Sequence, residues 1–281
     1  MPNSLRPGLD ADETQLVSAY NRQADEVHTI NASVEMSPTT GSAYSGVIHE
    51  YHRVSGFVLA ARPALIRVIG QAPVVGTNIF DMVSDGQMFR IFIPSKNQFL
   101  VGSNQLERAA HNPIENLWPQ HLLDALFWVP IGPDEPVVLE QVDLPPSRYY
   151  VLSLLRQSER KFEIVRKIWF DRSNLRVARL QVYGPGGRLD SDITYGDWKE
   201  VAPADTQEPT AQSAKAINTT RSPLVFPRTI HINRPRQDYQ LVLTIAKLSI
   251  NGEMPADRFT LAQPAGTELV NVGAGQQAPQ P

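Results

Sequence analysis

The 281-residue chain contains no cysteine. Without thiols this sequence can form no disulfide and no thiolate metal site, and it offers neither a cysteine nucleophile nor a thioether attachment point for lipid. It has no run of about 18 apolar residues, so no transmembrane helix is predicted. The N-terminal stretch MPNSLRPGLDADE lacks the apolar segment of a secretory signal.

Neither sign of charge dominates. The chain has 26 basic and 29 acidic residues, for a formal net charge of −3. A nucleic-acid-binding domain needs a basic stripe, and the sequence shows none, so no nucleic-acid partner is expected. Hydrophobic residues make up 42% of the chain, which is enough for a sizeable core.

Motifs for known chemistry are also missing. The sequence has no HExxH, nucleophile elbow, P-loop or GxGxxG. His49 and His52 lie three residues apart on a predicted strand, so their side chains face opposite sides and cannot share a metal. We therefore predict that the protein is not an enzyme and uses no metal or cofactor.

Short segments rich in valine, isoleucine and phenylalanine fill most of the chain, separated by turn signals such as Asp85-Gly86. Helical spacing appears at residues 10–30, and again at 112–130, where Pro119 predicts either two short helical pieces or a kink. The pattern predicts an α+β fold: one large curved antiparallel sheet, an unclosed half-barrel of about eleven strands, with helices covering its concave face.

The organisation is that of a single domain. Residues 1–9 are predicted to be a flexible lead, 10–273 one domain, and 274–281 a disordered tail. Within the domain, residues 203–222 are polar and without periodicity, which predicts a long loop.

Charged residues indicate which strand positions face water, because side chains alternate between the two faces. Taking Arg62, Arg67, Asp81 and Arg90 as outward markers predicts the concave face of the sheet. With two residues of the second helical segment, the predicted lining is Phe57, Leu59, Ile66, Val68, Phe80, Met82, Phe89, Ile91, Trp118 and Leu122. Two interpretations remain open for this surface: a fully packed core, or a hydrophobic pocket for an apolar ligand.

The segment QAPVVGTN between two predicted strands is unusual because Pro73, Val74 and Val75 form an apolar turn, whereas turns generally expose polar residues. Such a tip is either buried under another element or placed to touch an apolar partner.

The segment from Gly56 to Gly102, GFVLAARPALIRVIGQAPVVGTNIFDMVSDGQMFRIFIPSKNQFLVG, resembles the core of the bacterial lipoprotein-localisation factors, the LolA/LolB type. The shared features are a strand ending in Arg-Pro, a proline-containing loop, then Ser-Asp-Gly and a strand ending at proline. The C-terminal FPRTIHINRP and DRFTLAQPAGTELVNV are also similar. The resemblance implies an open barrel whose helical lid covers a cavity for lipoprotein acyl chains.

The resemblance also suggests a role for the apolar turn. In the outer-membrane acceptors of this family, an apolar residue of the corresponding loop protrudes and helps to deliver lipoprotein into the membrane. Pro73, Val74 and Thr77 match that loop by position, whereas Val75 stands where the family has a small residue.

The resemblance further implies partners and a compartment. Expected partners are lipoprotein acyl chains or phospholipid, a membrane surface and a carrier protein. The expected location is the periplasmic side of the bacterial outer membrane, with a native lipid anchor on an N-terminal cysteine that this sequence does not include.

Two alternatives belong to other classes. One is a structural envelope lipoprotein that has this fold without carrier activity. The other is a hydrolase built on a β scaffold, which lacks support because no nucleophile–base constellation is apparent.

Overall fold

A computed structural model describes residues 7–40, 49–50, 53–72, 75–104, 119–158, 161–201 and 224–272. The helices are α1 (Glu13–Glu26) and α2 (Pro119–Leu126). The strands are β1 (Thr29–Thr40), β2 (His49–Glu50), β3 (Val54–Ala61), β4 (Leu65–Gln71), β5 (Asn78–Ser84), β6 (Met88–Ile93), β7 (Gln98–Ser103), β8 (Val137–Leu144), β9 (Ser147–Ser158), β10 (Lys161–Asp171), β11 (Arg176–Gly184), β12 (Arg188–Glu200), β13 (Val225–Arg234), β14 (Tyr239–Ile250) and β15 (Glu268–Val272).

All described strands belong to one sheet, in the order β15-β7-β6-β5-β4-β3-β1-β14-β13-β12-β11-β10-β9-β8, with β2 added beside β1. The predicted α+β class and the open, curved sheet are confirmed, although fifteen strands exceed the expected eleven. Neighbours are antiparallel except β15 and β7, which run parallel. This exception is possible because residues 251–267 give the chain enough length to cross the sheet first.

The strand register explains how the concave face becomes continuously apolar. Residues paired across neighbouring strands point to the same side of a sheet. One such row crosses six strands, and its members are buried; they are Ala32, Val58, Val68, Met82, Ile91 and Leu100. The row belongs to the main core cluster, which also includes the apolar faces of α1 and α2.

Helix α1 begins with a capping box. The Asp12 carboxylate accepts a hydrogen bond from the Gln15 amide nitrogen, and the Gln15 side chain accepts one from the Asp12 amide nitrogen. Leu16, Tyr20 and Ala24 form its buried stripe. The helix ends earlier than the predicted span of 10–30, because Thr29 already pairs in the sheet.

Several predicted segments lie wholly or partly outside the described residues. These are residues 1–6 of the lead, residues 112–118 of the second helical segment, all of loop 203–222 and the tail 274–281. Pro119 begins α2, which agrees with the predicted break at this proline. Leu9 of the predicted flexible lead is held in place, since its amide nitrogen donates to the Arg172 carbonyl at 2.7 Å.

The predicted facing of β3 is wrong. Phe57 pairs with Ile69, and Leu59 pairs with Arg67, so both lie on the convex face of the sheet. Phe57 is 40% exposed, and Leu59 belongs to a small separate cluster with Phe259. By contrast, the outward markers on β4 and β5 were correct: Arg67 and Asp81 form an ion pair at 2.7 Å on the convex face.

The error comes from Arg62, which was taken to face water. Its guanidinium instead donates to the backbone carbonyls of Ala24, Val27 and Trp128, each at 2.9 Å, and lies over the Phe127 ring. Burial lowers the pKa of Arg62, and the Asp25 carboxylate opposes this shift. A charge can face the interior when carbonyl oxygens replace its water, and this arginine ties the end of α1 to the segment after α2.

Replacing this arginine tests the assignment. Arg62→Met should lower the free energy of unfolding by about 2–4 kcal/mol, because three buried carbonyls lose their donor. Arg53→Met is the matched control: the Arg53–Glu35 pair is 69% and 45% exposed, so its loss should cost less than about 1 kcal/mol. Urea unfolding followed by tryptophan fluorescence measures both, and equal losses would contradict the anchoring role.

Candidate functional site

The concave face brings together most of the predicted lining. Each of these residues is at most 3% exposed and belongs to the main core cluster; they are Ile66, Val68, Phe80, Met82, Phe89, Ile91 and Leu122. Phe80 packs across Gly70, where an added Cβ would lie 2.2 Å from its ring. Phe57 and Leu59 are not part of this surface, and Trp118 lies outside the described residues. Side chains of the protein itself therefore cover the predicted ligand-binding surface in this structure.

Trp128, which follows α2, connects both helices to the sheet. Its ring stacks on Tyr20 of α1 with centroids 5.0 Å apart. Its indole nitrogen donates to the Tyr195 hydroxyl at 3.0 Å, and that hydroxyl donates to the Ala125 carbonyl of α2 at 3.1 Å. Trp198 packs edge-on against the same indole ring.

A buried arginine also contacts this aromatic group. Arg166 of β10 is 9% exposed; it donates to the Tyr20 hydroxyl at 3.3 Å and to the carbonyl of Val129. Burial raises the pKa of Tyr20 to about 12, although the charge of Arg166 acts in the opposite direction. Asn21 adds reciprocal hydrogen bonds to the backbone of Ile131, at 2.9 and 2.7 Å. The cover of the concave face is thus held by a few specific polar contacts.

The polar face of α2 carries Gln120, His121 and Asp124. Burial, together with the charge of Arg234, lowers the pKa of His121 to about 3. Burial raises the pKa of Asp124, whereas a hydrogen bond from Gln120 and the charge of Arg234 lower it. Arg234 and Tyr239 are paired neighbours of β13 and β14 on the concave side. Ionisable groups therefore adjoin the apolar surface at one end of the sheet.

The turn between β4 and β5 is tight. The Ala72 amide donates to the Thr77 carbonyl at 2.8 Å, and Gly76 donates to the Ala72 carbonyl at 3.1 Å. Gly76 has a φ of 65°, which glycine adopts without strain. Val75 is 73% exposed, so this valine is not buried under another element. Pro73 and Val74 lie outside the described residues.

The described residues form neither a metal site nor a membrane-spanning helix, but they do form a surface cleft. No group of three or more histidine or acidic side chains suited to a metal ion occurs in the described part of the chain. None of its helices has the length and apolarity required to cross a membrane. A cleft of about 190 Å³ lies on the convex face, lined by polar residues such as Asp192, Thr194 and His231 and by the apolar residues Ile232, Leu241 and Val242.

The architecture is that of an open, curved sheet with helices on its concave side. A DUF1329 family protein from Desulfovibrio piger has a similar structure, with a TM-score of 0.53 and 11% identity, over 87% of this chain and 94% of that one. Neither a family model nor a curated protein matches the sequence.

Two further structures are similar over 87% of this chain, each with a TM-score of 0.48. One is a LolA superfamily protein from Nitrosomonas europaea, 15% identical over 97% of its chain. The other is a putative outer membrane lipoprotein-sorting protein domain from Vibrio parahaemolyticus, 9% identical over 94% of its chain. Both scores are lower than that of the Desulfovibrio protein, so the likeness rests on that structure and on the topology above. The open, curved sheet with helices on its concave side, which the sequence resemblance implied, is confirmed.

The low pKa of His121 predicts how stability depends on pH. An unfolded histidine gains its proton near pH 6.5, whereas the folded His121 would gain it near pH 3. The unfolded state therefore binds more protons between these values, and the free energy of unfolding should fall as pH is lowered through that window. From pH 7 to pH 5, the loss due to this residue should be at most about 2 kcal/mol.

Urea unfolding at both pH values measures this effect. His121→Gln should reduce the loss between pH 7 and pH 5, while the oppositely directed effect of Asp124 remains. His28→Gln, which alters an exposed histidine, should preserve the wild-type loss. An unchanged loss in His121→Gln would show that other groups cause the pH dependence.

Proposed function

We propose that this protein binds the acyl chains of lipids or lipoproteins on its concave face and catalyses no reaction. The observation that carries the proposal is the continuous apolar surface across the sheet, whose described cover consists of two helices and the segment after α2. Helix α2, the shorter of the two, packs against β4 and β5, where most of the predicted lining lies. Its displacement would open an apolar surface of the chemistry that a lipid chain requires.

The free energies of burial favour exchange of a lipid chain for the protein's own side chains over the filling of an empty cavity. A 16-carbon chain could gain roughly 12 kcal/mol from complete burial, at about 0.8 kcal/mol per methylene, before ordering costs. Loading would remove side chains such as Leu122, Leu123 and Leu126 from the core, each worth about 1.5–3 kcal/mol. Because these contributions largely cancel, a lipid could enter and leave, as a carrier or acceptor needs. Met82 on the opposing sheet suits such exchange, since methionine adapts to changing shapes.

The proposed setting is the periplasmic side of the bacterial outer membrane, with a lipid anchor in the native form. The sequence resemblance to lipoprotein-localisation factors supports this setting and a role in lipoprotein sorting or insertion. The proposed partners are lipoprotein acyl chains or phospholipid, a membrane surface and a carrier protein that delivers the lipoprotein. Pro73, Val74 and Val75 form the proposed membrane-contact loop, supported by the exposure of Val75.

A second candidate is a structural envelope protein with the same fold and no carrier activity. The specific observation in its favour is the complete burial of Ile66, Val68 and Met82 under the protein's own side chains. Native mass spectrometry and solvent extraction of the purified protein distinguish the two. Copurified lipid, or saturable uptake of a fluorescent fatty acid, supports binding; the absence of both supports the structural role.

The hydroxyl of Tyr195 provides a mutational test of acyl-chain uptake. Tyr195→Phe removes the hydrogen bond to Ala125 of α2 and should speed uptake of a fluorescent fatty acid several-fold, because α2 becomes easier to displace. Tyr149→Phe is the matched control, since Tyr149 contacts Trp169 on the convex side. Stopped-flow fluorescence measures both rates. Equal uptake by the two variants would show that α2 does not control access.

The membrane-contact loop has its own test. Replacing Val74 and Val75 by glutamate should leave folding intact and weaken liposome association. Burying two valines contributes roughly 3 kcal/mol, enough for contact but too little for stable anchoring, which needs a second signal. Flotation of the chain with liposomes measures the change. A double variant that floats as well as the wild type would remove the loop from membrane contact.

A further inference from the structure

The register places five strand connections at one end of the sheet, here called the upper rim. They join β4 to β5, β6 to β7, β9 to β10, β11 to β12 and β13 to β14. The shared end follows from the antiparallel pairing, which sets Thr40 beside Tyr239 and Gly184 beside Arg188. The opposite end, the lower rim, is crossed by α1: Asp10 before this helix pairs with Arg172, and Ala24 near its end binds Arg62.

Large exposed apolar side chains occur at separated places on the upper rim. Val75 lies on one side and is 73% exposed. Phe162, at the start of β10, is 62% exposed, and Leu269, at the start of β15, is 50% exposed. Strands β4 and β10 are separated by roughly 30 Å along the sheet, at about 4.8 Å per strand. A flat apolar partner that touched both sides would therefore orient the protein, with the upper end of the concave face directed at that partner.

Exposed apolar residues such as Leu144 occur on the lower rim as well. The two rims therefore differ in charge and not in apolar exposure. Exposed basic side chains in the described part of the upper rim are Arg53, Lys96, Arg156, Lys161, Arg188 and Arg236; the exposed carboxylates are Asp238 and Glu268. Arg53, Arg156 and Arg236 also form ion pairs with Glu35, Glu163 and Asp190. On the lower rim, α1 and the residues before it carry Arg22 against Asp10, Asp12, Glu13, Asp25 and Glu26. A chain with a net charge of −3 thus presents a mainly basic, partly apolar surface at its upper rim.

We propose that the upper rim docks on a bilayer surface that contains anionic phospholipid. Val75, and Phe162 on the far side, enter the interface, while Lys96, Lys161, Arg188 and Arg236 approach lipid phosphates. This inference rests on the proposed function, and it adds the lipid class and the orientation: the upper end of the concave face is directed at the membrane. Each exposed basic residue adds only a modest, salt-sensitive attraction to an anionic surface, so the contact is reversible.

Sedimentation with vesicles tests the docking. Vesicles of phosphatidylcholine are compared with vesicles that also contain phosphatidylglycerol, at low and at physiological salt. The wild-type chain should bind the anionic vesicles at least tenfold more tightly, and salt should weaken this binding. Equal binding to both vesicle types, or none to either, overturns the proposal; the second result would direct attention to a protein partner for the rim.

Matched variants locate the contact. The double variant Lys161→Gln with Arg188→Gln should lose binding to anionic vesicles roughly tenfold or more. Its control, Lys199→Gln with Arg258→Gln, removes equal charge near the other end and should bind as the wild type does. Phe162→Ser should also weaken binding, whereas Leu144→Ser, which alters an exposed lower-rim residue, should not. Equal effects in rim and control variants would overturn the proposal.

Fatty-acid uptake by the same proteins separates this inference from the proposed function. A rim variant that takes up the fluorescent fatty acid normally but binds vesicles poorly supports docking by the rim. Wild-type uptake without vesicle binding overturns the docking and leaves acyl binding intact. Rim-dependent vesicle binding without uptake rejects acyl binding and retains the docking.

Discussion

One constraint governs this protein: an apolar face that runs across the sheet must be removed from water by very few elements. Residues paired across neighbouring strands, such as Val58, Val68 and Met82, point to the concave side. Two helices and the segment after α2 provide the described cover. Burial of this face supplies the main driving force for folding, and the same surface has the chemistry that a lipid chain would use.

The cover is attached by identifiable polar contacts in addition to apolar packing. Arg62 binds three backbone carbonyls, Arg166 supports Tyr20, and Tyr195 joins Trp128 to α2. Each contact lies where a helix or its following segment meets the sheet. Because hydrogen bonds are directional and few, such a cover can be firm when closed and still separate cooperatively. This combination suits exchange of an apolar guest for the protein's own side chains.

The two ends of the sheet have different surfaces, and this asymmetry gives the fold a direction. Helix α1 with its acidic residues crosses the lower rim, whereas the hairpins of the upper rim carry basic and exposed apolar side chains. The ionisable groups His121, Asp124 and Arg234 also lie toward the upper rim. A lipid that enters from this side would pass polar groups before it reaches the core.

Local pattern in the sequence was sufficient for the strands, for the hairpin at Asp85-Gly86 and for the concave position of Ile66, Val68, Phe80, Met82, Phe89 and Ile91. Alternation and turn chemistry act between near neighbours, so they can be seen without the fold. The facing of β3 could not be derived in this way. Arg62 faces inward only because carbonyls distant in sequence, at Ala24 and Trp128, replace its water. Likewise, the role of Trp128, the parallel pairing of β15 with β7 and the charge difference between the rims arise from contacts between distant segments. Those contacts exist only once the sheet has brought the segments together.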